Sequence, residues 1–67
     1  MTLAQKIAAE RSKRAELAER FAEAHGKESV VGRNLLEEAA HYWAAADAAR
    51  QGDLTPRPWV PRAQISN

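Results

Sequence analysis

Apolar side chains recur every three or four residues over the first third of the chain, which is the spacing of an amphipathic helix. The row consists of Leu3, Ile7, Leu17, Phe21 and Ala24. Thr2 and Gln5 match a capping box at its start, and neither glycine nor proline occurs before Gly26. The pattern predicts a first helix over about 2–25.

A second row on the same helix contains only small side chains. Its members are Ala8, Ala15, Ala18 and Ala22. Glu10 and Arg14 interrupt the first row at mid-length, whereas the alanine row has no interruption. We expect the large side chains, with Phe21 prominent among them, to be buried, and we expect the alanines to let another backbone come close.

The second predicted helix follows a turn and is apolar over a wide arc. Ser29 or Asn34 could cap its start, and Gly52 ends it, so it covers about 30–51. Its apolar rows contain Leu35, Ala39, Tyr42, Ala46 and Ala49, then Leu36, Ala40, Trp43 and Asp47. One antiparallel helix cannot cover this arc by itself. The arc therefore favours a second copy of the chain that packs against the uncovered part.

These elements predict an all-α fold, a two-helix antiparallel hairpin over 1–52 that dimerises into a four-helix bundle. The predicted core and dimer residues are Leu3, Ile7, Leu17, Phe21, Leu35, Leu36, Ala39 and Ala46. Three prolines follow, and proline cannot continue a helix, so 53–67 is expected to be an extended Pro-rich tail with Trp59.

Composition excludes several classes of protein. The 67 residues include no cysteine, so neither disulfides nor a thiolate zinc site stabilises the chain. Ten Lys and Arg against nine Asp and Glu give a formal charge of +1, far from the excess typical of nucleic-acid binding. No apolar run is long enough to cross a membrane and no signal-peptide pattern is present, so a cytoplasmic location is expected.

One spacing is compatible with metal binding. Glu38 and His41 stand three residues apart, as in the Glu-x-x-His motif of di-iron helical bundles, and Glu10 is the acidic residue nearest the apolar row. The competing interpretation makes His41 a boundary residue that bonds Glu37 or Glu38. With no second ligand pair in the chain, we expect no metal and no other cofactor.

The aromatic residues favour binding to another protein. Tyr42 and Trp43 point about 100° apart on a helix, so one should pack in the bundle and the other should lie at its border. Arginine and aromatic residues dominate binding hot spots. The predicted partner-binding residues are Arg33, Asn34, Tyr42, Trp43 and Trp59.

The tail has two interpretations. The stretch from Pro58 to Pro61, with Arg57 and Arg62 beside it, matches a PxxP peptide. Alternatively, the tail is a strap whose apolar residues, including Ile65, cover the hairpin or reach another subunit. The sequence is less compatible with a DNA-binding helix-turn-helix domain, because a third helix is missing and acidic residues alternate with the basic ones.

The segments from Ala22 to Gly26 and from Asn34 to Ala39 carry a resemblance to a known family. Over residues 1–51 the chain resembles, in length, charge and helix layout, the small early proteins of Mu-like temperate Pseudomonas phages. It is similar in plan to phage anti-activators of quorum sensing. The resemblance implies a dimeric hairpin that acts in the host cytoplasm and binds a LuxR-type regulator or a pilus-assembly ATPase.

The sequence therefore favours a non-enzymatic protein-binding module, encoded by a phage, that inhibits a host protein such as a quorum-sensing transcriptional regulator. An alternative is a structural or assembly component of a virion or larger complex. A ferritin-like metal-binding dimer is the third hypothesis. Catalysis is not expected, since the chain has no phosphate-binding loop and is too short to enclose a pocket.

Overall fold

Two helices form an antiparallel hairpin in a computed structural model that describes residues 1–60. Helix α1 covers Leu3–His25 and helix α2 covers Val30–Arg50, with a four-residue connection between them. Within the described residues there is no strand. The all-α hairpin predicted from the sequence is confirmed; the dimer and the four-helix bundle stay predictions. The described part of the chain has no helix that is long and apolar enough to span a bilayer.

The start of α1 is a complete capping box. The Thr2 amide donates to the Gln5 side chain at 2.9 Å, and the Gln5 amide donates to the Thr2 hydroxyl at 3.1 Å. Two amides that no helical carbonyl could reach are thereby satisfied. At the other end, Gly26 adopts a φ of +89°, a conformation that favours glycine, and ends the helix.

Ser29, rather than Asn34, caps α2. Its hydroxyl accepts a hydrogen bond from the Gly32 amide at 3.0 Å and donates to the Gly26 carbonyl at 2.7 Å. Gly32 is required by this tight turn, because a Cβ there would lie 1.9 Å from the Gly26 carbonyl oxygen. The sequence pattern did not reveal this role, since the contact forms only when the chain folds back on itself.

The core of the single chain consists almost entirely of alanine. Among residues 1–60, the buried residues besides Gly32 are Ala8, Ala15, Ala18 and Ala22 of α1 with Ala39, Tyr42, Ala45, Ala46 and Ala49 of α2. Small side chains at intervals of three, four and seven residues let the two backbones approach closely. The alanine row of α1 therefore makes the contact between the helices.

The row of large side chains on α1 is not the core of the single chain, which corrects the sequence interpretation. Leu3 is 63% exposed, and Leu17 and Phe21 are each 50% exposed, while Ile7 is half-buried and Ala24 is exposed. The reason is geometric: this row is rotated around α1 from the alanine row, and α2 covers only one of them. Shortening Phe21 therefore opens no internal cavity in the hairpin.

On α2, Ala39 and Ala46 are buried, while Leu35 and Leu36 are only half-buried. Val30 and Val31 occupy the first turn after the Ser29 cap and point outward, with Val30 74% exposed. The hairpin thus keeps its smallest apolar side chains inside and many of its largest outside.

We expect Ala46→Leu to destabilise the hairpin by about 1–3 kcal/mol, because Ala46 is fully buried and added methyl groups would separate the helices. The matched control is Ala44→Leu, two residues away and exposed, which should change the stability by no more than about 0.5 kcal/mol. Urea denaturation followed by circular dichroism measures both. Equal stability of the two variants would contradict the alanine contact.

Candidate protein-binding surfaces

The C-terminal segment 53–60 returns along the hairpin as a strap, and Arg11 is its main anchor. The guanidinium of Arg11 donates to the carbonyls of Ala45 at 2.8 Å, Thr55 at 2.7 Å and Asp53 at 3.4 Å. These bonds connect α1, the last part of α2 and the strap. Arginine suits the position because its planar group carries five donors and stays charged.

An aromatic cluster holds the far end of the strap. The Nε2 atom of His41 lies 2.8 Å from the Arg57 carbonyl oxygen, and its ring centroid lies 5.5 Å from that of Trp59. The ring of Tyr42 meets His41 edge-on at 5.2 Å, and the Arg14 guanidinium carbon lies 5.7 Å from the centre of the Tyr42 ring. Residues 53–60 therefore lie along the hairpin of their own chain, as a strap.

The strap also carries an internal ion pair between Asp53 and Arg57. The Thr55 amide donates to the Asp53 carboxylate at 3.1 Å. The hydrogen bond from Arg57 lowers the pKa of Asp53 from its ordinary value of 3.8 to about 2, and hydrogen bonding from Thr55 acts in the same direction. In the turn after α2, the ionised Asp53 carboxylate thus accepts hydrogen bonds from both Arg57 and Thr55.

Trp43 lies on a different surface from the strap. Its indole Nε1 donates to a carboxylate oxygen of Glu19 at 3.0 Å, which connects α2 to α1, and its side chain stays half-exposed. Tyr42 is 8% exposed. Of the two neighbouring aromatic residues, Tyr42 therefore lies in the interior and Trp43 lies at its border.

The structure does not bring the five predicted partner-binding residues into one patch. Tyr42 and Trp59 belong to the cluster around His41, and Trp43 contacts Glu19 instead. The other two, Arg33 and Asn34, are exposed near the start of α2. Candidate binding residues thus occupy two surfaces, one on the strap and one along α2.

Glu38 and His41 are the residues behind the metal-binding hypothesis. The described residues contain no group of three or more His, Cys, Asp or Glu that could hold a metal ion. The His41 ring instead contacts the strap through the Arg57 carbonyl. Pro61, Arg62 and Ile65, which entered the peptide and strap interpretations, lie outside the described residues.

The surface of α1 away from α2 is lined by charged residues with one large apolar side chain among them. An open groove there is bordered by Glu10, Lys13, Arg14, Glu16, Leu17 and Arg20. Sequence reasoning placed Leu17 in the interior and assigned the charged residues mostly to solvent. The structure places both kinds of residue on the same outer surface.

Comparisons with known proteins identify no relative. No protein-family model matches the chain, and neither curated proteins nor solved structures give a significant match.

We expect Arg11→Ala to release the strap while the helices remain, because three carbonyl acceptors lose one charged donor and the hairpin core does not contain Arg11. In a Trp43→Phe background, acrylamide quenching of Trp59 should increase at least about twofold, toward that of a solvent-exposed indole. Lys13→Ala, an exposed change on the same helix, is the control. Unchanged quenching in Arg11→Ala would refute the anchoring role.

Acid should weaken the strap through Asp53. Because the folded pKa lies below the ordinary value, the ionised carboxylate stabilises the strap above pH 3.8, and this contribution is lost as the pH falls through about 2. Trp59 emission in the Trp43→Phe background should report this transition, and Asp53→Asn should remove it. Asp47→Asn, which alters the separate pair with Arg50, should keep it.

Proposed function

We propose that the chain is a non-enzymatic protein-binding module that inhibits a host protein. The observation that carries the proposal is the burial of the apolar side chains: alanines form the core, while larger side chains are at least about half exposed, namely Leu3, Leu17, Phe21, Val30 and Val31. Exposed large apolar groups in a small protein mark interaction surfaces when they are grouped together. A chain that needed only its own stability would gain by burying them.

The host protein binds along α2, on a surface formed by Arg33, Leu36, Ala40 and Trp43. These residues follow one another at intervals of three and four, so they share one side of the helix. Leu36 and Trp43 are half-buried, and Arg33 and Ala40 are exposed. We call this the Trp43 surface.

The hydrogen bond from Trp43 to Glu19 favours this role. It holds a large aromatic ring in one orientation before any partner arrives, so binding costs less side-chain entropy. Tryptophan and arginine are the residues most enriched in binding hot spots. The Trp43 surface presents one of each with apolar side chains between them.

The resemblance to small early proteins of temperate Pseudomonas phages supplies the class of host target. A LuxR-type quorum-sensing regulator is the first candidate, and a pilus-assembly ATPase is the second. The module acts in the host cytoplasm as a homodimer, without a cofactor, by covering the DNA-binding or dimer surface of the regulator. Two hairpins in the dimer supply four helices.

A structural or assembly role is the second candidate, because exposed Val30, Val31 and Val60 lie outside the Trp43 surface and could contact neighbouring subunits. Size separates the two functions. An inhibitor remains a discrete dimer at all concentrations used, whereas an assembly component forms larger species as the concentration rises. Light scattering during size-exclusion chromatography distinguishes them.

The direct test measures binding of the purified chain to a purified LuxR-type regulator by calorimetry, with the regulator's DNA binding followed by gel shift. We expect Trp43→Ala to weaken binding by about 30-fold or more, the loss that corresponds to a hot spot of about 2 kcal/mol. Lys27→Ala, an exposed change in the turn, should leave the affinity unchanged.

Trp59→Ala locates the surface independently. If that variant loses binding and Trp43→Ala does not, the strap surface rather than the Trp43 surface contacts the regulator. If the unmodified chain binds neither the regulator nor the ATPase, these two targets are wrong. Formation of large species by the unmodified chain would favour the assembly role instead.

A further inference from the structure

The outward row of α1 has the periodicity of a coiled-coil seam. Its successive members are separated by four, three, four, three, four and three residues, which is the a and d spacing of a heptad repeat. The row consists of Leu3, Ile7, Glu10, Arg14, Leu17, Phe21 and Ala24. It lies outside the alanine contact with α2, since most of its side chains are exposed in the single chain.

We propose that this row binds the same row of a second copy, with the two α1 helices antiparallel. In an antiparallel coiled coil, an a position of one helix faces a d position of the other. With the two-fold axis beside residue 12, Ile7 faces Leu17, and Glu10 faces Arg14 of the second copy. At the ends of the seam, Leu3 faces Phe21. This inference rests on the dimer included in the proposed function and specifies its interface.

Charge complementarity fixes the orientation. A parallel pair would place Glu10 opposite Glu10 and Arg14 opposite Arg14, so both contacts would be repulsive. The antiparallel pair converts the same residues into two opposite-charge contacts related by the two-fold axis. The two polar residues that interrupt the apolar row therefore match each other.

The same residues fix the register. A shift by one heptad in one direction places Glu10 opposite Phe21 and Arg14 opposite Leu17, which buries charge against apolar side chains. A shift in the other direction places Ile7 opposite Glu10. Of these registers, only the one in which Glu10 faces Arg14 places apolar against apolar and charge against charge from Leu3 to Phe21.

The structure leaves Glu10 able to form this contact. Among residues 1–60 the ion pairs are those of Lys27 with Glu23, Arg50 with Asp47 and Arg57 with Asp53. Glu10 therefore has no ion pair with Arg14 in the described chain, although the two stand one helical turn apart. Arg14, the residue that would face Glu10 of the second copy, forms none of these ion pairs either, and its guanidinium carbon lies 5.7 Å from the centre of the Tyr42 ring.

The test uses two charge variants, Glu10→Arg and Arg14→Glu, each alone and then mixed in equal amounts. Each variant alone places only like charges across the seam, so we expect its dimer dissociation constant to rise at least about tenfold. The mixture restores both opposite-charge contacts between unlike chains, so heterodimers should form at concentrations where each variant alone is monomeric. Sedimentation equilibrium measures all three samples.

Mixing separates contacts between chains from contacts within one helix. In the mixture, each chain still carries two like charges at positions 10 and 14, so a purely intrahelical effect would not be rescued. Circular dichroism checks that both variants remain helical. Failure of the mixture to form heterodimers, or unchanged dimerisation of the two single variants, would overturn the seam.

Disulfide formation tests the register directly. The chain has no cysteine, so Ile7→Cys with Leu17→Cys in one chain introduces the only thiols. These positions are about 15 Å apart along one helix, beyond the reach of a disulfide, whereas the proposed register places them face to face between copies. Oxidation should give covalent dimers. Ile7→Cys with Phe21→Cys, which are offset by a helical turn in this register, should give few.

The outcomes also separate this inference from the proposed function. If both charge variants dimerise as strongly as the unmodified chain and the cysteine variant does not cross-link, the seam is refuted and the dimer uses another interface. An unmodified chain that stays monomeric throughout would refute both the seam and the dimer. Binding of the regulator through the Trp43 surface is measured separately and would stand or fail by itself.

Discussion

The close approach of two helix backbones is the constraint on which the rest of the structure depends. Alanine at the contact positions of both helices makes that approach possible. The Ser29 cap and Gly32 keep the turn between the helices tight, so the helices are already close where α2 starts. A contact made of small side chains buries little apolar area for each residue. The hairpin therefore gains less from its core than a leucine-rich pair would, and its stability depends more on caps, on the strap and on any partner.

The strap adds to the hairpin both hydrogen bonds and the ring contact of Trp59 with His41. One guanidinium, that of Arg11, satisfies carbonyls from α2 and from the strap, and His41, nine residues before the last residue of α2, holds the strap at a second point. Tyr42 is buried on the side of the hairpin where the strap lies, and the Arg14 guanidinium lies over its ring. Tyr42 is thus part of the buried interior, whereas Trp43 stays partly accessible.

A small alanine core also explains why the outer surface is rich in large apolar side chains. The proposed dimer and the proposed host contact would use different sides of the hairpin, the outward row of α1 and the Trp43 surface of α2. Such a division allows a homodimer to present two identical host-binding surfaces, one on each subunit. Both contacts involve residues outside the alanine contact between the two helices, so that contact does not depend on either of them.

The sequence by itself determined the two helices and most of their ends, because capping residues, glycines and prolines act through local backbone geometry, but it left the start of α2 open between Ser29 and Asn34. It also showed both rows of α1, the alanine row and the row through Phe21. Only the tertiary structure decided which row α2 covers, since both have helical periodicity and the choice depends on how closely two backbones approach. The contacts of Arg11 with the strap and of Gly32 with Gly26 were likewise decided in three dimensions, because they join residues that no local pattern relates.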